Sequence, residues 1–307
     1  MMQKIGSRLS LVDFFQLTYL LFLLGILILS PIKNTYFFVT ISIYFFLLLF
    51  LFYIISLRTK IKNRILYFWF YFLYPIIYLI VIFQSLYWLL PALNHSVLIE
   101  NSYDPILYSI DSFLVTVHPV LWFSQFATPL ITDIMYIIYS YYFILPLVLM
   151  FLLYYHKKYK EMQEAFFILS LSFYLSYIGY ILIPARGPRF YLHLEPLQGI
   201  YLAGLLRNAI NSIEPNKYDA FPSVHQLINI LILILAFKYE RKFFYFSIPI
   251  AVGITISLFY CQYHYVIDVI AGSLFAILFY LIGQKIWNHS NGSFKPQFDL
   301  VESFQET

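Results

Sequence analysis

Two histidine-bearing segments have residue types and spacing that could carry out phosphate chemistry. Phe221-Pro222-Ser223-Val224-His225 comes first, and His264-Tyr265-Val266-Ile267-Asp268 follows. The chain between the two histidines is long enough for one helix into a membrane, a basic turn at Lys238–Lys242 and one helix back. Both histidines are therefore expected at the same end of a helical hairpin, where ionisable groups of a membrane protein usually have a function.

The second segment has the arrangement of a nucleophile with its orienting group. His264 and Asp268 are i and i+4, so they share one face of a helix. The carboxylate can accept a hydrogen bond from one ring nitrogen and leave the other free to attack phosphorus. His225, one turn into its own helix, could protonate the leaving oxygen as a general acid.

The remaining candidates would bind the phosphate itself. Pro222 suits the first helical position, so the first-turn amides and the Ser223 hydroxyl are expected to face an anion. Arg186 and Arg189, in the turn Arg186-Gly187-Pro188-Arg189, could hold the non-bridging oxygens by charge-assisted hydrogen bonds. Arg207 and Lys217 are interpreted as solvated loop charges.

Composition identifies a membrane protein. Apolar residues make up 62% of the chain and charged residues 11%, whereas soluble domains have about 45–50% and about 25%. A single cysteine, Cys261, excludes an internal disulfide and a cysteine-based metal cluster. We expect no cofactor and no nucleic-acid partner.

The fold class predicted is all-α, a polytopic helical bundle. Each span needs about 20 apolar residues, and eight are predicted: 12–31, 35–57, 65–92, 130–154, 164–184, 222–238, 243–261 and 264–284. The predicted organisation is N-terminal spans over 1–93, a catalytic membrane core over 94–286 and a polar tail over 287–307.

The distribution of positive charge predicts the orientation. Fourteen of the 19 basic residues fall on one side of the predicted spans. By the positive-inside rule that side is cytoplasmic, together with both termini. The histidine and arginine segments then face the periplasm, the exterior or a lumen. On that side, residues 94–128 form an amphipathic stretch expected to lie in the interface, with Asp104 and Asp111 between its apolar positions.

These motifs resemble those of the type 2 phosphatidic acid phosphatase superfamily. Pro222-Ser223-x-His225 and His264-x-x-x-Asp268, followed by Gly272, are similar to its second and third signatures. Pro184-Ala185-Arg186-Gly187-Pro188-Arg189 and the segments around Asp104 and Asp133 resemble the branch that contains inositol phosphorylceramide synthases. The resemblance covers about 100–284.

The resemblance implies a six-helix core and a phosphohistidine intermediate. His264 would be the nucleophile, Asp268 its partner and His225 the acid, while Ser223, Arg186 and Arg189 would bind phosphate. No metal is required in that scheme. The substrate would be a lipid phosphate or phospholipid, and the acceptor would be water in a phosphatase or an alcohol in a transferase.

Two departures from the family's common pattern bear on whether the enzyme is a phosphatase or a transferase, and both give only a slight preference. The first signature's lysine is missing near Tyr177–Tyr180, and Leu258 stands where the third signature has an arginine. Fewer fixed cations favour a phosphodiester donor, hence a transferase, over a dianionic monoester. A non-catalytic lipid-phosphate binder or transporter, and a cytochrome with His225 and His264 as haem ligands, are further alternatives.

Overall fold

Helices are the regular elements of this protein. A computed structural model describes residues 9–58, 60–61, 64–93, 102–214 and 217–290, and within these ranges each regular element is helical. The prediction of an all-α polytopic bundle is confirmed. Lys4, Arg8 and most of the predicted polar tail lie outside the described residues.

The chain divides into two compact units, residues 1–98 with 282–307, and residues 99–281. The described part of the first unit contains three long helices, α1 (Leu11–Leu29), α2 (Thr35–Arg58) and α3 (Arg64–Leu93). Helix α1 begins where Ser10 and Asp13 form a capping box, each side chain accepting the other's amide. Ser30 Oγ donates to the Ala92 carbonyl oxygen at 2.9 Å, a polar link of the kind that joins helices in lipid.

The second unit carries both histidine motifs. Its helices are α4 (Asp104–Leu114), α5 (Pro119–Ser124), α6 (Pro129–Tyr155), α7 (Tyr159–Leu182), α8 (Pro188–Tyr191), α9 (Leu202–Ile213), α10 (Val224–Tyr239), α11 (Arg241–Tyr260) and α12 (Val266–Ser290), whose last residues belong to the first unit. The predicted boundaries of the three segments, and the six-helix core, stay predictions.

Seven helices in the described residues are long and apolar enough to cross a membrane, namely α1, α2, α3, α6, α7, α11 and α12. The remaining predicted span, 222–238, corresponds to α10, which is apolar but has only 16 residues. At 1.5 Å per residue it is about 24 Å long, less than the roughly 30 Å of a hydrocarbon core. It starts at Val224 because Ser223, with extended backbone, is its N-cap. The expectation that Pro222 occupies the first helical position is therefore wrong.

Helices α10 and α11 form the predicted hairpin. Asn229 Nδ2 donates to the Ala251 carbonyl oxygen at 2.9 Å, and Thr255 Oγ1 donates to Gln226 Oε1 at 2.8 Å. Such side-chain bonds hold helices together where lipid supplies no hydrophobic driving force. The turn at Glu240 reverses the chain, so the end of α11 returns to the level of His225.

Helix α4 buries its two carboxylates together with Leu107 and exposes most of its other apolar side chains. Asp104 and Asp111 are 1% and 2% exposed, whereas Phe113 is 90% exposed. The exposed apolar face agrees with the expected amphipathic segment, of which residues 94–101 lie outside the described ranges. The sequence analysis did not anticipate that both aspartates would contact the segments around the histidines.

Candidate active site

The ring of His264 is held so that one nitrogen remains available as a nucleophile. His264 lies in the turn between α11 and α12 and is 3% exposed. Its Nδ1 donates to the Ala220 carbonyl oxygen at 3.0 Å. Because a carbonyl oxygen only accepts, Nδ1 carries the proton and Nε2 keeps its lone pair. Burial lowers the pKa of His264 well below its usual range, and the nearby His225 acts in the same direction.

Asp268 lies behind this ring. Its Oδ2 is 3.4 Å from His264 Nδ1 and accepts the Tyr265 amide at 2.8 Å. Its Oδ1 has no hydrogen-bond partner among the described residues. The shared Nδ1 proton therefore has its shorter contact with the Ala220 carbonyl, and the carboxyl group of Asp268 lies slightly farther from it. The role predicted for Asp268 as orienting group stays a prediction.

His225 approaches His264 from α10. Its Nδ1 is 3.4 Å from His264 Nε2, and its Nε2 is 2.6 Å from the Tyr139 hydroxyl. The expectation that the two histidines meet at one end of the hairpin is confirmed. Since His264 Nε2 carries a lone pair, His225 Nδ1 is the donor between them, and the Tyr139 hydroxyl donates to His225 Nε2 in the neutral ring.

Ser223 has a different position from the one expected. Its hydroxyl accepts the Gln226 amide at 3.3 Å and so caps α10. Its amide donates to the Asp268 carbonyl oxygen at 3.2 Å, and its side chain is fully buried. Ser223 thus joins the starts of α10 and α12, and it does not line the cavity described below. Phosphate binding by its hydroxyl stays a prediction.

The two arginines differ in burial. Arg189 is 8% exposed, and its Nη1 has no hydrogen-bond partner in the part of the chain that the structure describes. Its guanidinium lies 4.6 Å and 5.1 Å from the ring centres of Phe190 and Tyr263. Arg186 is exposed and lies 4.9 Å from the Phe190 ring. A buried guanidinium with free donor capacity is suited to an anionic ligand.

Gly187 allows the arginine turn to approach the histidine loop. Its φ is +87°, and a Cβ there would collide with the Tyr263 carbonyl oxygen. The Arg189 amide donates to the Gln262 carbonyl oxygen at 3.1 Å, which fixes the two loops together. This contact explains why glycine stands between two residues of the site.

Carboxylates of α4 hold the same loops from outside. The Val266 and Ile267 amides donate to Asp111 at 2.7 Å and 2.9 Å, which caps the start of α12. The Arg186 and Gly187 amides both donate to Asp104 at 2.8 Å. A small apolar cluster fills the space between these segments, formed by Leu107, Ala185, Ala220 and Tyr265.

One cavity collects four of the six predicted side chains. Arg186, Arg189, His225 and His264 line it, and its volume is about 30 Å³, room for about two water molecules. Asp268 and Ser223 are not among the residues that line it. The other side chains that matter for its chemistry are Tyr139, Asn211, Glu214, Lys217, Asp219 and Tyr263.

The segment before the first histidine motif contributes charges that the sequence analysis missed. Glu214 Oε1 is 3.5 Å from His225 Nε2. Burial raises the pKa of Glu214 to about 7, and it raises the pKa of Asp219 well above its usual range. Lys217 also lines the cavity, so its interpretation as a solvated loop charge is wrong; Nζ donates to Asn211 Oδ1 at 3.0 Å. The only sequence signal was three charged residues within 214–219, close to Pro222.

Comparison with known proteins agrees with this geometry. A family model described as the PAP2 superfamily matches residues 106–282, more than half of the chain. Over 108 residues the chain is 28% identical to a PA-phosphatase related-family protein of Dictyostelium discoideum, which covers 32% of this chain and 20% of that relative. The chain thus matches about a fifth of the length of this curated relative. No solved structure gives a significant match.

Proposed function

Because the chain belongs to the PAP2 superfamily, we propose that it is a phosphatase-type membrane enzyme that transfers the phosphoryl group of a lipid phosphate ester through a phosphohistidine on His264. The observation that carries this proposal is the pairing of the two rings. A lone-pair nitrogen of His264 lies 3.4 Å from a ring nitrogen of His225, in the cavity that Arg189 also lines. A nucleophile, a proton donor and a cation are thereby within reach of one phosphorus atom.

The first step forms the covalent intermediate. The His264 Nε2 lone pair attacks phosphorus while the bond from phosphorus to the lipid oxygen breaks. His225, protonated at both ring nitrogens, gives its Nδ1 proton to that oxygen. Arg189 and Arg186 bind the non-bridging oxygens, whose charge increases in the transition state. Asp268 stabilises the positive charge of the phosphorylated ring.

The second step returns the enzyme to its starting state. A hydroxyl oxygen attacks phosphorus, the bond between phosphorus and His264 Nε2 breaks, and the hydroxyl proton goes to His225 Nδ1. With water the product is inorganic phosphate or a phosphate monoester. With an alcohol the phosphoryl group passes to a new acceptor; from a diester donor it carries its remaining head group with it. This scheme uses no metal.

Transfer to an alcohol is the second candidate, and the composition of the cavity favours it. Glu214 and Asp219 stand among the cations. An ionised Glu214 opposes a dianionic monoester more strongly than a monoanionic diester, and carboxyl groups form hydrogen bonds with hydroxyl groups in either protonation state. Leu258 is fully buried among apolar residues, so the place of the missing signature arginine holds no cation. We therefore include head-group transfer of the inositol phosphorylceramide synthase type in the proposal.

The proposal also places the reaction at the outer membrane face. The basic residues predict cytoplasmic termini, which puts the cavity toward the periplasm, the exterior or a lumen. The donor is then a lipid of the outer leaflet, reached without moving its head group across the membrane.

The test compares wild type with His264→Ala in detergent with a chelator. Phosphatidic acid and other lipid monophosphates test hydrolysis, and phosphatidylinositol with ceramide tests transfer. We expect turnover of one class by wild type, loss of at least about 100-fold in His264→Ala, and an acid-labile labelled phosphoenzyme in wild type alone.

His193→Asn is the matched control, because His193 is exposed and is not among the residues that line the cavity. Its φ is +52°, a conformation that asparagine tolerates. It should keep wild-type turnover. Equal turnover in His264→Ala would contradict the mechanism. Binding of lipid phosphate without any turnover would favour the non-catalytic binder.

A further inference from the structure

Glu214 is a carboxylate beside His225 that the steps above leave without a role. Its side chain is 15% exposed and its Oε1 is 3.5 Å from His225 Nε2. That nitrogen is the one turned away from His264, since Nδ1 faces the nucleophile. Glu214 therefore stands at the back of the ring, opposite the position of the leaving oxygen.

The fold places Glu214 there through α9 and α6. Glu214 is the C-cap of α9, and its amide donates to the Ile210 carbonyl oxygen at 2.8 Å. The start of α9 is fixed by Asp133 of α6, which accepts four backbone amides, those of Ile200, Tyr201, Leu202 and Ala203. Helix α6 also carries Tyr139, which contacts the same His225 nitrogen at 2.6 Å. Both neighbours of Nε2 are thus positioned from one helix.

We propose that Glu214 is the positioning residue of the general acid: its carboxylate balances the charge of protonated His225 at Nε2 and keeps the Nδ1 proton directed at the leaving oxygen. The inference rests on the phosphoryl-transfer function proposed above. Glu214 exchanges no atom with the substrate.

His225 carries a positive charge during part of the proposed reaction, and Glu214 can balance that charge. His225 is neutral after it has protonated the leaving oxygen, and it becomes an imidazolium again when the attacking hydroxyl returns a proton to Nδ1. The imidazolium is the form that burial opposes. Glu214 stabilises it as an ion pair, in the way that a carboxylate behind a catalytic histidine does in other enzymes.

The surroundings of Glu214 are mixed in charge. Arg186, Arg189 and Lys217 are the cations that line the cavity with it, and Asp219 is the second carboxyl group there. Two tyrosines, Tyr139 and Tyr263, line the same cavity. Burial lowers the pKa of His225 to about 3, so its protonated form needs a negative charge beside it. Glu214, with a pKa of about 7, is largely ionised at mildly alkaline pH and can supply that charge.

The test is the pH dependence of kcat/KM for wild type, Glu214→Gln and Glu214→Asp on one substrate. The substrate is phosphatidic acid, or phosphatidylinositol with ceramide if wild type turns over only that pair. A general acid must be protonated, so the rate falls as pH rises through its pKa. Removing the neighbouring negative charge lowers that pKa, and we expect the alkaline limb in Glu214→Gln to move down by about one pH unit or more. Because all three proteins are measured on the same substrate, the titration of the substrate affects each pH profile equally.

Glu214→Asp keeps the charge on a shorter side chain. It should turn over more slowly than wild type but keep the alkaline limb close to the wild-type position, and it carries the test if Glu214→Gln does not fold. Glu195→Gln is the matched control, since Glu195 is exposed and is not among the residues that line the cavity. We expect it to leave both rate and limb unchanged.

The outcomes separate the two proposals. A lower rate in Glu214→Gln with an unmoved alkaline limb, or a limb moved equally in Glu214→Asp, would overturn the role of Glu214. Wild type without His264-dependent turnover would overturn the proposed function itself, and this inference with it.

Discussion

At the scale of single residues, the site assigns different tasks to groups of the same type. The two histidine rings are both buried, but His264 Nδ1 donates to a carbonyl oxygen, whereas His225 Nε2 contacts the Tyr139 hydroxyl and lies 3.5 Å from a Glu214 carboxyl oxygen. His264 thus keeps a lone pair at Nε2, and only His225 has a carboxyl group close to its outer nitrogen. Environments that separate two titratable groups in this way are how acid and nucleophile roles are assigned.

The two arginines provide a prediction at this scale. Arg189 is buried and its Nη1 has no hydrogen-bond partner among the described residues, whereas Arg186 is exposed and its guanidinium lies near aromatic rings. A hydrogen bond to a charged group contributes about 1.5–3 kcal/mol, roughly a 10- to 150-fold change in rate. We expect Arg189→Gln to lower kcat/KM by that factor and Arg186→Gln by only a few-fold. Steady-state kinetics on the wild-type substrate measure both.

The pair is its own control, because both variants remove one positive charge from the same cavity. Equal losses in the two variants would show that net charge, and not a directed hydrogen bond, binds the phosphate. Arg189→Lys distinguishes the two further, since lysine keeps the charge without the planar fork of donors.

At the scale of elements, the site depends on backbone amides held by distant carboxylates. Asp111 of α4 caps α12 across 155 residues of sequence, and Asp133 of α6 caps α9 across 67 to 70 residues. Each anchored helix begins or ends close to a residue of the candidate site: α12 begins two residues after His264, and Glu214 is the C-cap of α9. The positions of these side chains therefore depend on the helix ends next to them.

Asp111→Ala tests this dependence. The substitution removes the cap and leaves the Val266 and Ile267 amides without their acceptor, which costs about 1–3 kcal/mol. We expect a lower free energy of unfolding and a loss of turnover, because the freed turn carries His264. Thermal unfolding in detergent and kinetics on the same preparation measure both.

Ser109→Ala is the matched control on α4, because Ser109 is exposed on the same helix. It should change neither quantity. Wild-type activity in Asp111→Ala would show that the His264 loop keeps its position without α4. Asp111→Asn should lie between, since its amide oxygen can still accept from the helix start.

What the sequence could predict follows from the range of the interactions involved. The hairpin between His225 and His264 follows from two apolar runs and a basic turn, so it was predictable. The spacing of four does bring His264 Nδ1 within 3.4 Å of Asp268 Oδ2, but the expectation that both residues lie on one helix is wrong, because α12 begins at Val266 and His264 lies in the turn before it. The roles of Asp104, Asp111 and Glu214 depend on tertiary contacts between segments far apart in the chain. A carboxylate that caps a distant helix has no local pattern that distinguishes it from a solvated one.

At the scale of the whole molecule, the length of α6 bears on which side of the membrane the cavity faces. Its start holds the segment around Ile200 through Asp133, and its end leads to the basic turn at Lys157. With 27 residues α6 is about 40 Å long, which exceeds the roughly 30 Å of a hydrocarbon core. We therefore expect the two ends on opposite faces, and the positive-inside rule predicts that the Lys157 end is cytoplasmic.

Cysteine labelling from outside tests this orientation, and with it the face at which the substrate is met. Gln198→Cys and Lys157→Cys introduce thiols at exposed positions near the two ends of α6. The native Cys261 is buried, and burial raises the pKa of its thiol, so the folded wild type should stay unlabelled. In intact cells we expect a membrane-impermeant maleimide to label Gln198→Cys at once and Lys157→Cys only after permeabilisation. The reverse pattern would place the cavity on the cytoplasmic side, where the substrate would be an inner-leaflet lipid, and labelling of both positions in intact cells would contradict α6 as a spanning helix.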